Sequence, residues 1–257
     1  MKKIISVALA ILLLISSLLM TSCGGVKSDI SKADKKMQEV DNCKASSTVE
    51  IKMKSQGVTI TTSMIYDMTY VDLLSETPKL YADVTIKAFN EEVKGVIYRE
   101  DGWDYTVAEG EKFKSPVDEN NDATIFELPD EVLKYAETSV KDGIKTISVD
   151  IDPDDFEELF PKFCETAYAL YFEKDDIDSM VIKDGFVTVS IDKDGYLRDD
   201  NMGMICELTV EGETIEVTVT AAVRYSEYNG NHTVTPPQGY KSFPEADEGI
   251  SGGITTV

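Results

Sequence analysis

Apolar and polar residues alternate with a period of two over much of this chain. The longest such run covers residues 58–70, where one side carries Val58, Ile60, Thr62, Met64, Tyr66, Met68 and Tyr70. Successive side chains of a β-strand point to opposite faces, so this run predicts a long strand with one buried face. The same pattern predicts further strands over residues 49–54, 80–88, 93–98, 103–107, 144–151, 186–191, 196–210 and 214–225.

Two stretches have helical periodicity instead. Residues 28–40 place apolar side chains every three or four positions, which forms one stripe along a helix. Pro129 fits the first turn of a second helix. We expect that helix to end near Val140, because the turn-forming residues Asp142 and Gly143 follow.

An aromatic helix between the two blocks of strands is the strongest candidate for a binding element. Asp152 caps its start, Pro153 occupies its first position, and Pro161 is expected to kink or divide it. Its side chains and those of the long strand could line an apolar cavity. The candidate ligand-binding residues are Met64, Tyr66, Met68, Phe156, Phe160, Phe163 and Tyr171. The same residues would equally fill an ordinary helix-on-sheet core, and periodicity does not separate the two interpretations.

Short turns join most of the predicted strands. Asp101-Gly102, Asp194-Gly195 and Glu211-Gly212 are typical hairpin connections, which favour antiparallel pairing. The order of strands and helices predicts an α+β fold built on one sheet over residues 28–228. Residues 229–257 are rich in glycine and proline and are expected to form an irregular C-terminal tail.

The first residues are typical of a bacterial lipoprotein signal. A basic start and a 17-residue apolar run, interrupted by three serines, precede Leu19-Met20-Thr21-Ser22-Cys23, which resembles a lipobox. This resemblance implies that residues 1–22 are a signal peptide and that Cys23 carries the lipid. Residues 23–27 would then be a short tether. The alternatives are an uncleaved anchor helix and an ordinary secreted protein.

With a lipobox, a leading helix, long antiparallel strands and an aromatic helix between strand blocks, the chain resembles the LolA/LppX-like lipoprotein superfamily. Many lipoproteins of Gram-positive bacteria resemble this superfamily too. The hairpin from Arg99 to Tyr105, with Gly102 and Trp103 at its turn, is similar to hairpins common there. The resemblance covers about residues 28–228 and carries over no functional residue. It implies a half-barrel, which is a single curved antiparallel β-sheet with helices packed on its concave face, able to hold acyl chains.

Composition, charge and the absence of complete catalytic or metal-binding motifs argue against nucleic-acid binding, metal binding and catalysis. The chain has 257 residues and a formal net charge of −23, which argues against nucleic acid as a partner. His232 is the only histidine, so multi-histidine metal sites are excluded. A G-x-S-x-G match at residues 249–253 lacks the strand-to-helix context that a nucleophilic serine needs, and no acidic turn completes a calcium loop. We therefore expect no enzyme, no metal and no cofactor.

Three cysteines remain after the lipobox. Cys43, Cys164 and Cys206 have no metal-binding spacing and are expected to be buried thiols, although one disulfide among them stays open.

The leading hypothesis is a non-catalytic lipoprotein anchored through Cys23 to the extracytoplasmic face of the cell membrane, in a Gram-positive envelope. It would bind or carry a hydrophobic, acyl-lipid-like ligand. The alternative is an acidic protein-interaction module with a filled core, which would dock a protein partner of the cell envelope.

Overall fold

The computed structural model describes residues 25–117, 133 and 135–246. Helix α1 (Gly25–Met37) comes first. Six strands follow: β1 (Cys43–Ser55), β2 (Val58–Val71), β3 (Lys79–Ala88), β4 (Glu91–Glu100), β5 (Trp103–Ala108) and β6 (Glu111–Pro116). The rest of the chain forms β7 (Glu137–Lys141), β8 (Ile144–Asp150), α2 (Pro153–Leu159), α3 (Pro161–Glu165), β9 (Ile177–Ile191), β10 (Leu197–Val210) and β11 (Glu213–Ser226). Single 3₁₀ turns lie at Lys174–Asp176 and Tyr240–Ser242.

All eleven strands of the described residues belong to one open antiparallel sheet. Their order is β6-β5-β4-β3-β2-β1-β11-β10-β9-β8-β7. The first and last strands, β1 and β11, pair at the centre, where Val49 lies opposite Ala221. The strands therefore form two meanders joined side by side, and β6 and β7 are the two edges. This confirms the predicted single antiparallel sheet.

One face of the sheet, here called the inner face, is buried along most strands. On β1 the buried residues alternate with exposed ones and include Val49 and Ile51, as the sequence pattern predicts. On β2 the same alternation buries Thr62, Met64, Tyr66 and Met68. These side chains and the aromatic residues of α2 and α3 belong to one hydrophobic core.

Two helical predictions differ from the structure. Helix α1 begins at Gly25, so residues 25–27, which were expected in a flexible tether, form its first turn. Val140 lies in strand β7 rather than at the end of a helix, because its neighbours Thr138 and Ser139 form a hairpin with β8 across the Asp142-Gly143 turn. The proposed start of that helix at Pro129 lies outside the described residues.

The described part of the C-terminal tail is irregular but packed. Phe243 is buried against Tyr98 and Tyr105 on the opposite, outer face of the sheet. The backbone of Lys114 in β6 donates to the carbonyl of Pro244 at 2.8 Å, and Ala246 donates back to Lys114 at 2.8 Å. The tail therefore covers the β6 edge, whereas every residue of β7 at the other edge is exposed.

Candidate ligand-binding site

Residues 152–172, here called the helical cover, lie against the inner face of the sheet. The carboxylate of Asp152 accepts a hydrogen bond from the backbone N–H of Asp154 at 3.0 Å, and Pro153 occupies the first turn. Helix α2 ends at Leu159 because Pro161 disfavours helical backbone at the preceding residue and cannot continue the hydrogen-bond ladder. Helix α3 then starts at Pro161, which confirms the predicted division.

Phe156 anchors the cover on strand β9. Its ring lies directly over Gly185, where a Cβ atom would come within 2.1 Å of the ring. The ring centroid is 5.0 Å from that of Phe160 and 6.1 Å from that of Phe163, and all three side chains are buried. Glycine at residue 185 therefore allows an aromatic cluster to lie against the backbone of the sheet.

Tyr171 anchors the other end of the cover on strand β2. Its hydroxyl donates a hydrogen bond to Oγ1 of Thr62, which is a buried inner-face residue. Its ring also makes an edge contact with Phe89, in the turn between β3 and β4, at a centroid distance of 6.4 Å. The half-buried Tyr171 thus fixes the cover over strands on the far side of the sheet centre.

The cover therefore crosses the middle of the sheet from β9 to β2. These strands are four positions apart, which corresponds to about 19 Å at about 4.8 Å per strand. The seven residues singled out from the sequence all belong to or pack against this one core: Met64, Tyr66, Met68, Phe156, Phe160, Phe163 and Tyr171. Their grouping is as expected, while ligand binding by them stays a prediction.

Two buried hydroxyl groups interrupt this apolar layer. Ser47 on β1 and Tyr66 on β2 are both 0% exposed, and neither hydroxyl has a hydrogen-bond partner within the described part of the chain. The two residues lie directly opposite each other in the strand register. Burial raises the pKa of Tyr66 well above its usual value, so its hydroxyl stays protonated. Because an unpaired buried polar group is costly, this pair needs an explanation.

A buried carboxyl group, that of Asp200, is aligned with Ser47 across the strands of the sheet. Asp200 on β10 and Ser47 on β1 both lie opposite Val223 of β11, so about 10 Å separates their strands. Asp200 is 3% exposed, and Asp34 of α1, which packs on β10, is 5% exposed. Burial, and secondarily the charge of Asp34, raises the pKa of Asp200 well above its usual value.

Helix α1 is held in place at one end of the sheet. The ammonium group of Lys36 donates to the carbonyl of Asp194 and lies 4.3 Å from the ring centroid of Tyr196. That ring stacks on Tyr228 at a centroid distance of 4.5 Å. These contacts position Asp34 over the inner face, next to Asp200.

Sequence reasoning missed Ser47, Asp34 and Asp200. A signal for Asp200 was present, because it has the same parity as the buried residues Met202 and Met204 of its strand. Ser47 likewise continues the alternation of Val49 and Ile51 towards the start of β1. A search for polar residues at the inward-facing positions of the apolar strands would have identified both Ser47 and Asp200.

The three cysteines of the described chain are buried free thiols. Burial raises the pKa of Cys43 to about 11 and that of Cys206 to about 12. Burial, followed by nearby charges, raises the pKa of Cys164 to about 12. These groups stay protonated at neutral pH and are weak nucleophiles. The predicted lipid-attachment residue, Cys23, lies outside the described residues.

Other chemistry-bearing features are few in the described chain. In that part, no three His, Cys, Asp or Glu side chains are grouped as they would be around a metal ion. No helix there has both the length and the apolar character to cross a membrane. An open groove of about 610 Å³ lies beside Asp152, Asp155 and Lys183 and has a mixed polar and apolar lining. The G-x-S-x-G match lies outside the described residues.

No protein-family model matches the chain, and no curated protein matches it. Among solved structures it is similar to LprF from Mycobacterium bovis, with 10% identity and a TM-score of 0.38, over 82% of this chain and 96% of that one. It is also similar to a DUF1329 family protein from Desulfovibrio piger, with 10% identity and a TM-score of 0.28, over 83% of this chain and 96% of that one. Similarities at this level carry no argument about function, so the proposals below rest on the residues of this chain.

Proposed function

We propose that this protein is a lipid-anchored protein of the bacterial cell envelope that binds a hydrophobic, acyl-lipid-like ligand without catalysing a reaction. The observation that carries the proposal is the apolar layer between an eleven-stranded sheet and a short aromatic cover, interrupted by the hydroxyls of Ser47 and Tyr66. The ligand would lie in this layer, with its chains against Met64, Met68 and the phenylalanines of the cover.

The width of the inner face supports a curved, half-barrel sheet. Eleven strands laid flat would extend over about 48 Å between the edge strands, whereas the cover crosses about 19 Å. Ile97 on β4 and Ile147 on β8 lie outside the strands that the cover crosses, and both are nevertheless buried in the same core. We infer that the sheet curves around the cover, which places the helices on its concave face.

The cover is the part of the layer best suited to move. Helix α2 has seven residues and α3 has five, so neither is stable without tertiary packing. Pro161 divides them and leaves a natural hinge. A ligand that displaces the phenylalanines from the sheet would have to replace their apolar contacts with its own chains, and the methionines of β2 adapt readily to a new neighbour.

The proposed membrane attachment rests on the resemblance to a lipobox that ends at Cys23. A lipidated Cys23 would lie two residues before α1, which is fixed to the sheet, so the binding domain would stay close to its anchor. The net charge of −23 would be repelled by anionic lipid headgroups, which limits contact between the domain and the bilayer to what this short link imposes. The signal-like segment before Cys23 supports a location on the extracytoplasmic face, and we propose that the ligand is bound inside the domain.

Titration of a pyrene-labelled diacylglycerol into the full chain, held in amphipol, tests this proposal. We expect saturable binding of about one probe per chain, seen as a change in pyrene fluorescence. The same titration with the chain unfolded in urea controls for non-specific partition. Binding that does not saturate, or that is equal for folded and unfolded chains, would reject ligand binding.

An acidic protein-interaction module with a filled core is the second candidate. The exposed edge strand β7 favours it, because Val140 is 70% exposed there and an unpaired edge can accept a strand from another protein. A folded chain that takes up no lipid probe, and that cross-links to an envelope protein through β7, would support this candidate.

A further inference from the structure

We propose that Ser47 and Tyr66 form the polar anchor of the ligand site, and that they bind the carbonyl or ester oxygen of an uncharged lipid. This inference rests on the proposed function and specifies the class of ligand. It starts from the two hydroxyl groups that the described chain leaves without a partner in an apolar core.

The register places the two residues side by side on the inner face. Ser47 and Tyr66 are opposite residues on neighbouring strands, so their Cβ atoms lie about 5 Å apart and point to the same side. Met64 and Met68 flank Tyr66 along its strand on this face. An oxygen atom bound here would therefore have hydrocarbon neighbours for the rest of the ligand.

The chemistry of the two groups selects a hydrogen-bond acceptor. Each hydroxyl can donate one hydrogen bond, and burial keeps the tyrosine protonated. A carbonyl oxygen has two lone pairs and an ester group has two oxygens, so one ester group offers acceptors for both donors. A pure hydrocarbon would leave both hydroxyls unsatisfied and gain nothing from this point of the site.

The surroundings of the two hydroxyl groups favour an uncharged ligand over an anionic one. Asp200 and Asp34 are buried on the same side of the sheet, about two strands from Ser47. A buried carboxylate or phosphate would carry a desolvation cost that two neutral hydroxyls do not offset, whether or not Asp200 is protonated. Arg99 also lies towards the inner face, but its guanidinium donates hydrogen bonds of 2.7 and 2.8 Å to the carboxylate of Asp104, which already balances its charge.

Three pyrene-labelled probes with the same number of chain carbons test the inference on the full chain in amphipol: a diacylglycerol, a fatty acid branched into two chains, and an alkane branched into two chains. We expect the wild-type chain to bind the diacylglycerol about tenfold more tightly than either of the others. Tyr66→Phe and Ser47→Ala each remove one donor and are expected to weaken diacylglycerol binding about threefold to tenfold, while alkane binding stays the same or improves.

Two variants serve as matched controls. Tyr98→Phe removes a buried hydroxyl from the separate cluster on the outer face, and Ser46→Ala removes an exposed hydroxyl next to Ser47. Neither is expected to change the affinity for any probe. Circular dichroism and thermal unfolding check that each variant folds.

The outcomes separate this inference from the proposed function. If the wild-type chain binds none of the probes, ligand binding itself is rejected. If it binds all three equally, and Tyr66→Phe and Ser47→Ala change nothing, the domain binds hydrocarbon and the polar anchor is rejected. Tighter binding of the fatty acid than of the diacylglycerol would reject the selection against charge.

Discussion

Replacing Tyr66 by phenylalanine should make the ligand-free protein more stable. The ring stays in place, and only a fully buried hydroxyl without a hydrogen-bond partner is lost. Leaving such a group unsatisfied costs about 1–3 kcal/mol. We therefore expect the free energy of unfolding to rise by about 1–3 kcal/mol in Tyr66→Phe. For a domain of this size the midpoint of thermal unfolding should rise by about 2–12 °C.

Urea unfolding of the delipidated full chain, followed by tryptophan fluorescence and circular dichroism, measures this change. Tyr171→Phe is the matched control, because its hydroxyl donates to Thr62 and its loss should lower the free energy of unfolding by about 0.5–1.5 kcal/mol. A loss of stability in Tyr66→Phe of the same size as in Tyr171→Phe would show that the Tyr66 hydroxyl has a partner in the folded protein. That result would refute the polar anchor.

Three further predictions, the first with a matched control variant, test the packing and electrostatics of the fold. Gly185→Ala should destabilise the protein by about 1–3 kcal/mol in urea unfolding, because its methyl group would overlap a buried ring. Gly203→Ala should cost clearly less, since the ring that it meets is partly exposed on the outer face, and equal losses would argue against the placement of the cover. The raised pKa of Asp200 favours the folded state only while the carboxyl is protonated, so the wild-type protein should lose stability as pH rises from about 4 towards 8. Asp200→Asn should remove this loss. If urea midpoints at three pH values fall equally in the variant and in the wild-type protein, this prediction is wrong. Arg99→Met should cost about 3–5 kcal/mol by leaving the buried Asp104 charge unpaired, and a cost below about 1 kcal/mol in thermal unfolding would contradict the buried pair.

Alternation of apolar and polar residues was sufficient to predict most strands and the side chains that they bury. The inner-face residues of β2 and β3, such as Met64 and Val84, follow directly from the period of two. Pro161 likewise predicted the break between α2 and α3, because proline acts on its own backbone and needs no tertiary contact.

Strand order and the short edge strands could not be read in the same way. β1 pairs with β11, whose residues are more than 150 positions away in sequence, and no local pattern specifies that pairing. β7 has five exposed residues and therefore no burial period. Its hairpin partner β8 decides its conformation, which is why the prediction that a helix extends to Val140 was wrong.

Periodicity predicted the apolar residues of the candidate site but not its polar ones. Its apolar members follow from amphipathic periods, which mark what is buried. Ser47 and Asp200 are polar at buried positions, so each one interrupts the apolar pattern that identifies a core. Only the register, which places both opposite Val223, shows that they belong to one row.

The most direct test of lipid binding is to identify what the protein carries. The full chain would be produced in a bacterial host, extracted from membranes with a mild detergent, washed thoroughly and analysed by lipid extraction and mass spectrometry. We expect close to one uncharged, ester-containing lipid per chain, and less of it in Tyr66→Phe than in Tyr98→Phe. A folded, monodisperse protein that carries no lipid would contradict ligand binding and favour the protein-interaction module.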